Sequence, residues 1–268
     1  MKRRTFLKNG TMAAGALATV PRVLHGRDPL VPSTKPEFPL LDLHVHTTPT
    51  FPVERILELG RERGVGFGVV EHPAPWMLKD DNDLKAYIDK MRAYPVYVGL
   101  QPTYPGWYKN YSRELIDQVD YILMDPQMVP KGNGELWQIW EFDTYIPDTE
   151  EFMKRYMDYA LEILNNEPID VFAWPLFLPV CIARDYYELW TEERMQAILS
   201  AARARNIAIE INDMAHTPHE AFIRKAKAQG LKFTFGSDSR NENVGKLDYC
   251  KPLIESCGLE ASDFFVPI

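Results

Sequence analysis

Two histidines stand two residues apart in an otherwise apolar run, Leu41-Asp-Leu-His-Val-His-Thr-Thr48. A buried imidazole needs a hydrogen-bond partner or a metal. Imidazole and carboxylate are the usual ligands of zinc, manganese and iron. His44 and His46 therefore raise the expectation of a divalent metal site, and Asp238, in "FGSD" (235–238), is the distant carboxylate that would complete it. The chain has six histidines. His25 lies near the N-terminus, and the other five (His44, His46, His72, His216 and His219) fall at or just past the ends of expected strands.

The elements that must position these residues alternate along the chain. Strands are expected over 40–46, 65–72, 96–101, 120–125, 170–177, 207–213 and 232–238. Helices are expected over 52–64, 81–94, 112–119, 149–167, 191–206, 218–230 and 247–258, the last bent by Pro252. A long structureless segment, 126–148, interrupts the rhythm. Seven strand–helix units predict a parallel sheet with right-handed crossovers. With no strong break between them, they point to a closed barrel one unit short of the eightfold barrel. An open doubly wound sheet is the alternative, but no glycine-rich nucleotide fingerprint follows any strand.

In parallel α/β folds the site lies at the carboxyl ends of the strands. Strand one ends with Asp42, His44 and His46, which strict alternation places on one face, opposite Leu41, Leu43 and Val45. The later strands end with Glu71 and His72, with Gln101, with Asp125, near Trp174, with Glu210, Asn212 and Asp213, and with Asp238 followed by Arg240. Glu210 reads as an anchor for loops at the barrel mouth. His216 reads as a possible replacement ligand, and His219 as a helix-start residue. Trp107, Tyr108, Tyr111, Trp137, Trp140 and Tyr145 follow strands three and four. They either cover a ligand or pack the loops onto the barrel.

The motifs "DLHVHT" (42–47), "GVVEH" (68–72), "IEIN" (209–212) and "FTFGSDSRNENVG" (233–245) together resemble the PHP family, the polymerase and histidinol phosphatase domain, over residues 38–245. The resemblance implies a distorted seven-stranded parallel (β/α)7 barrel, similar to a TIM barrel, with up to three divalent metals and phosphoesterase-like hydrolysis. His44, His46 and Asp238 match ligands of one metal position, and His72 matches a ligand of another. Elsewhere the chain departs from the pattern. Gln101 stands where a bridging carboxylate is usual, Asp125 or Gln127 near one ligand histidine, Trp174 at a second and Arg240 at a third. A neutral amide cannot offset the repulsion between two cations, so one zinc, manganese or iron per chain is expected, with Gln101 as a weak further ligand. A bound metal lowers the pKa of its water. Glu71, His72 or Asp125 would take the proton, and Arg240 would grip an anionic substrate.

Residues 1–27 carry six bases and no acid, beginning "MKRRTFLK" and continuing into a mild apolar stretch. This looks like a twin-arginine export signal, which implies the twin-arginine translocase as a partner, a periplasmic or secreted location and no stable membrane association. Residues 28–39 read as a proline-rich linker, and 40–268 as the barrel domain. The whole chain has a net charge of −8; without the leader, 24 bases stand against 38 acids, a net charge of −14. That balance argues against nucleic acid as a partner. The three scattered cysteines do not form a disulfide framework. The expected function is metal-dependent hydrolysis of a phosphoester or a similar small anionic or sugar-like substrate. The alternatives are a barrel that binds such a ligand without hydrolysing it, and a sugar-directed lyase or isomerase.

Overall fold

The computed structural model describes residues 40–268; the expected leader and linker lie outside the described residues. Among the described residues nine strands are formed: β1 (Leu41–Val45), β2 (Gly66–Glu71), β3 (Tyr97–Leu100), β4 (Tyr121–Met124), β5 (Met128–Pro130), β6 (Leu136–Gln138), β7 (Val171–Phe172), β8 (Ala208–Asn212) and β9 (Phe233–Gly236). Seven of them close a parallel barrel in the order β1-β2-β3-β4-β7-β8-β9, with β9 returning to β1. All seven expected strands are present. The segment 126–148 is not structureless, because β5 and β6 pair there as an antiparallel hairpin, Val129 opposite Trp137.

The helices are α1 (Val53–Arg63), α2 (Asp81–Met91), α3 (Arg113–Ile116), α4 (Thr149–Asn166), α5 (Tyr186–Leu189), α6 (Glu192–Ala204), α7 (Glu220–Ala228) and α8 (Cys250–Ser256). Helix α1 buries Val53, Ile56, Leu59 and Gly60, a stripe at helical spacing, and stops at Gly64 in the left-handed region. Asp80, Asp148 and Thr191 cap α2, α4 and α6 through their side chains, each cap contributing about 1 kcal/mol. Ser112 precedes α3 but makes no side-chain cap, and the helix is a single turn. Helix α8 is shorter than the expected 247–258 and begins two residues before Pro252. Pro252 falls in the first turn, where its missing N–H would have no helical acceptor.

Two side-chain layers result. Phe67, Val69, Val98, Ile122, Met124, Phe172, Ile209, Phe233 and Phe235 face the helices, and Leu43, Val70, Tyr121, Leu123, Val171, Ala173 and Ala208 fill the barrel. Tyr121 lies across the barrel floor. Its ring occupies the space that a Cβ would need on Gly68 and Gly99, and its hydroxyl donates to the Leu43 carbonyl at 2.6 Å. At the amino-terminal end of the barrel, the Phe265 N–H donates to the Phe233 carbonyl. Among the described residues no helix is long and apolar enough to cross a membrane. Cys181, Cys250 and Cys257 are free thiols.

Candidate metal centre

The barrel interior continues upward from this floor into a ring of polar side chains. The inward positions of each strand alternate, as Gly68, Val70 and His72, or Tyr97, Gly99 and Gln101, or Tyr121, Leu123 and Asp125. Each series passes from apolar or small to polar at its carboxyl end. The mouth is therefore polar because these strands end their inward rows with hydrogen-bonding side chains.

Strand β1 departs from simple alternation. Asp42 pairs with Phe67 and Val45 with Val69, so β1 takes up one extra residue between them. Leu43 stays inside, against Gly68, and the added residue turns His44 and His46 inward as well. Asp42 is thereby separated from the histidines, which corrects the expectation of one shared face. It pairs with Phe67 and Phe235 of the outer layer. There its carboxylate accepts from the backbone N–H of Ser237 and Gly245, both at 2.9 Å. Asp42 thus ties the loop after β9 to β1 and does not face the site.

His44, His46 and Asp238 come together, with their ligand atoms within 4.8 Å of one another, all three buried. Asp238 Oδ1 lies 3.4 Å from His44 Nε2 and 3.3 Å from His46 Nε2. Both Nε2 atoms are buried without a hydrogen-bond partner. Two buried imidazole nitrogens beside a carboxylate oxygen fit a divalent cation: they are the donor types it takes, and left alone they would be costly.

The carboxylate of Glu210 orients this group. His44 Nδ1–H donates to Glu210 Oε1 at 2.6 Å, which leaves Nε2 as the nitrogen turned toward the cluster and free to ligate once it gives up its proton. Glu210 Oε2 accepts from the Trp174 backbone N–H at 2.9 Å and from Asn212 Nδ2 at 3.0 Å. Glu210 on β8 reaches His44 on β1 across Gly236 of the intervening β9. A Cβ on Gly236 would run into the Glu210 carboxylate and the His44 Cβ. Glu210 is thus both the expected loop anchor and the partner of a ligand, a second role the sequence reading missed. An acid inside the apolar run "IAIEI" was the available signal, because a buried carboxylate needs a donor.

Burial works against charge on His44, but Asp238 and Glu210, on its two nitrogens, outweigh it and push the imidazole up to about 10. Burial holds His46 down at about 3. Burial also works against the Asp238 carboxylate, yet His44, His46 and Arg240 bring it well below the usual range. The cluster is arranged to hold one positive charge between two carboxylates.

The remaining candidates surround this triad. His72 stacks on His46 with ring centroids 5.1 Å apart, and its Nδ1–H donates to the Gln101 carbonyl at 3.0 Å. It is not one of the three residues whose ligand atoms converge. Gln101 Nε2 donates to Asp125 at 2.8 Å, and its buried Oε1 has no partner. Burial pushes Asp125 up to about 6. Glu71 stands on the outer row with Phe67 and Val69 and accepts from the His72 N–H at 2.9 Å. Arg240, partly exposed, places Nη1 3.1 Å from Asp238 Oδ1. His216 stacks on Tyr249 at 4.8 Å and is exposed, outside the triad. His219 precedes α7 and contacts the Tyr186 hydroxyl. Trp107 and Tyr111 are buried loop fasteners, Tyr111 through Ala74 and Leu78, whereas Phe142 and Tyr145 are exposed.

No family model and no curated protein matches this sequence. Its likenesses to solved structures are weak. One is a chain of the cryo-EM structure of archaeal ribonuclease P with mature tRNA, 12% identical with a TM-score of 0.37, covering 80% of this chain and 89% of that one. Another is the citrate synthase SbnG, 12% identical with a TM-score of 0.40, covering 84% and 96%. Neither likeness is deep enough to carry an argument about function.

Proposed function

We propose that the chain is a metal-dependent hydrolase of the PHP type, acting on a phosphoester or a comparable small anionic substrate at a mononuclear centre. The observation that carries this reading is the pair of unpartnered, buried Nε2 atoms on His44 and His46, both turned to one oxygen of Asp238. The motifs around these residues support the family assignment. A divalent ion held there would supply a polarised water and positive charge for the anion.

The chain's own groups do the rest. Glu210 keeps the His44 proton on Nδ1, so that Nε2 can ligate. His72, with Nδ1 tied to a backbone carbonyl and its pKa lowered by burial, offers a neutral Nε2 as proton acceptor. Asp125 is the second acceptor in reach of the mouth, and Glu71, on the outer row, is the least well placed of the three. Arg240 is partly exposed at the entrance and can leave Asp238 to bind an anion in a bidentate way. The basic leader, with paired Arg3 and Arg4, supports export by the twin-arginine route after the metal is loaded.

The test is hydrolysis of p-nitrophenyl phosphate and a panel of sugar phosphates by protein loaded with zinc, manganese or iron. Metal-dependent turnover is expected, with Arg240→Gln raising KM more than it lowers kcat. A loaded protein that binds such anions but turns none over contradicts hydrolysis and leaves a binding protein.

A further inference from the structure

We propose that Trp174 is a positioning residue of this centre: its indole N–H holds Asp238 to a single ligating oxygen, while its backbone N–H holds the carboxylate that orients His44. The inference rests on the metal-binding reading above.

One residue here points two donors at both carboxylates of the site. Trp174 Nε1–H donates to Asp238 Oδ2 at 2.9 Å, and Trp174 N–H donates to Glu210 Oε2 at 2.9 Å. The side chain is buried, and Phe177 packs edge-on against its ring with centroids 4.6 Å apart. The backbone of Trp174 has φ +47°, a left-handed conformation that bulky residues rarely adopt. Asp238, at the other end of the bond, has φ +45°. The fold holds both residues in uncommon conformations, and the indole–carboxylate bond is made between them.

The two oxygens of Asp238 are thereby divided. Oδ2 belongs to the indole, and Oδ1 faces both histidines and Arg240. An indole N–H only donates and keeps its proton at any ordinary pH. Oδ2 therefore stays engaged whether Oδ1 meets Arg240 or a cation. Asp238 is kept from chelating with both oxygens, and coordination positions stay open for water and substrate.

The probe is cobalt(II), titrated into the full-length apoprotein and into Trp174→Phe, with the dissociation constant and the visible absorption spectrum as readouts. Expected for the wild type is one cobalt(II) with the intense visible bands of low coordination. In Trp174→Phe the freed Oδ2 turns to the ion, so the bands weaken as coordination rises and affinity falls about 10–100-fold. An unchanged spectrum and affinity in the variant would overturn the role of Trp174 while leaving the metal site standing. No cobalt uptake by the wild type would instead remove the metal reading itself. A second readout does not depend on the variant folding. Among the six tryptophans, one 15N-labelled indole N–H of the wild type should show a dominant paramagnetic shift when cobalt(II) binds. If binding leaves every indole signal in place, the proposal is wrong.

Discussion

On the β8–β9–β1 side of the mouth, the carboxylates of Glu210 and Asp238 face the imidazoles of His44 and His46. On the β2–β3–β4 side, the Asp125 carboxylate is bonded to an amide, Gln101, and His72 is tied to a main-chain carbonyl. The first half sets two carboxylates against two imidazole Nε2 atoms that have no hydrogen-bond partner. The second half neutralises itself with neutral donors, and burial drives its one inward carboxylate toward the protonated form. The difference teaches that a polar ring is not yet a metal ring. A cation requires anionic and lone-pair donors that converge, and among the described residues only the first half of this mouth brings three such ligand atoms together.

The largest break in this contrast comes from Glu210→Gln. The new amide can still accept from His44, but its NH2 then meets the Trp174 N–H and Asn212, which are also donors. Metal affinity should fall about 10–100-fold in calorimetric titration while the chain stays folded. An affinity within a factor of two of wild type would show that Glu210 does not orient the ligand.

A change of pH acts on the same half. His44 must lose a proton to ligate, and its partners hold that proton up to about 10. Metal affinity should therefore rise about tenfold per pH unit across the neutral and mildly alkaline range. The metal-free protein should behave in the opposite sense. A folded pKa above the ordinary 6.5 gives stability that is fully present below 6.5 and lost as pH rises toward about 10. Denaturant unfolding with and without metal over that window checks both signs.

Gly236→Ala tests the space between the halves of the ligand pair. Its methyl group would displace the Glu210 carboxylate and press on His44. A loss of about 1–3 kcal/mol is expected, with weakened metal binding; an unchanged midpoint in urea would mean that β9 yields easily there.

The smallest effect is expected from Gln101→Glu, which adds a carboxylate to the quiet half, against Asp125. The first metal equivalent should keep its affinity, and a second, weaker equivalent should appear at high metal concentration. Loss of the first equivalent would show that Gln101 belongs to the primary centre.

Much of this was legible from residue order. The seven barrel strands follow from alternating apolar runs and turn residues, and the triad follows from polar residues at strand ends. Three features were not. The extra residue in β1 is a register event between partner strands, so spacing alone placed Asp42 beside histidines that it does not accompany. The role of Trp174 depends on a left-handed backbone two residues past strand β7, which no residue-type preference announces for tryptophan. The hairpin within 126–148 escaped because its two strands are only three residues each, too short for a period to register.

The most direct measurement is metal content per chain by elemental mass spectrometry, on protein purified without added metal, beside the double variant His44→Ala/His46→Ala. The account predicts close to one equivalent of zinc, manganese or iron in the wild type and none in the variant. No metal in the wild type even after reconstitution, or two or more equivalents from the start, would contradict it.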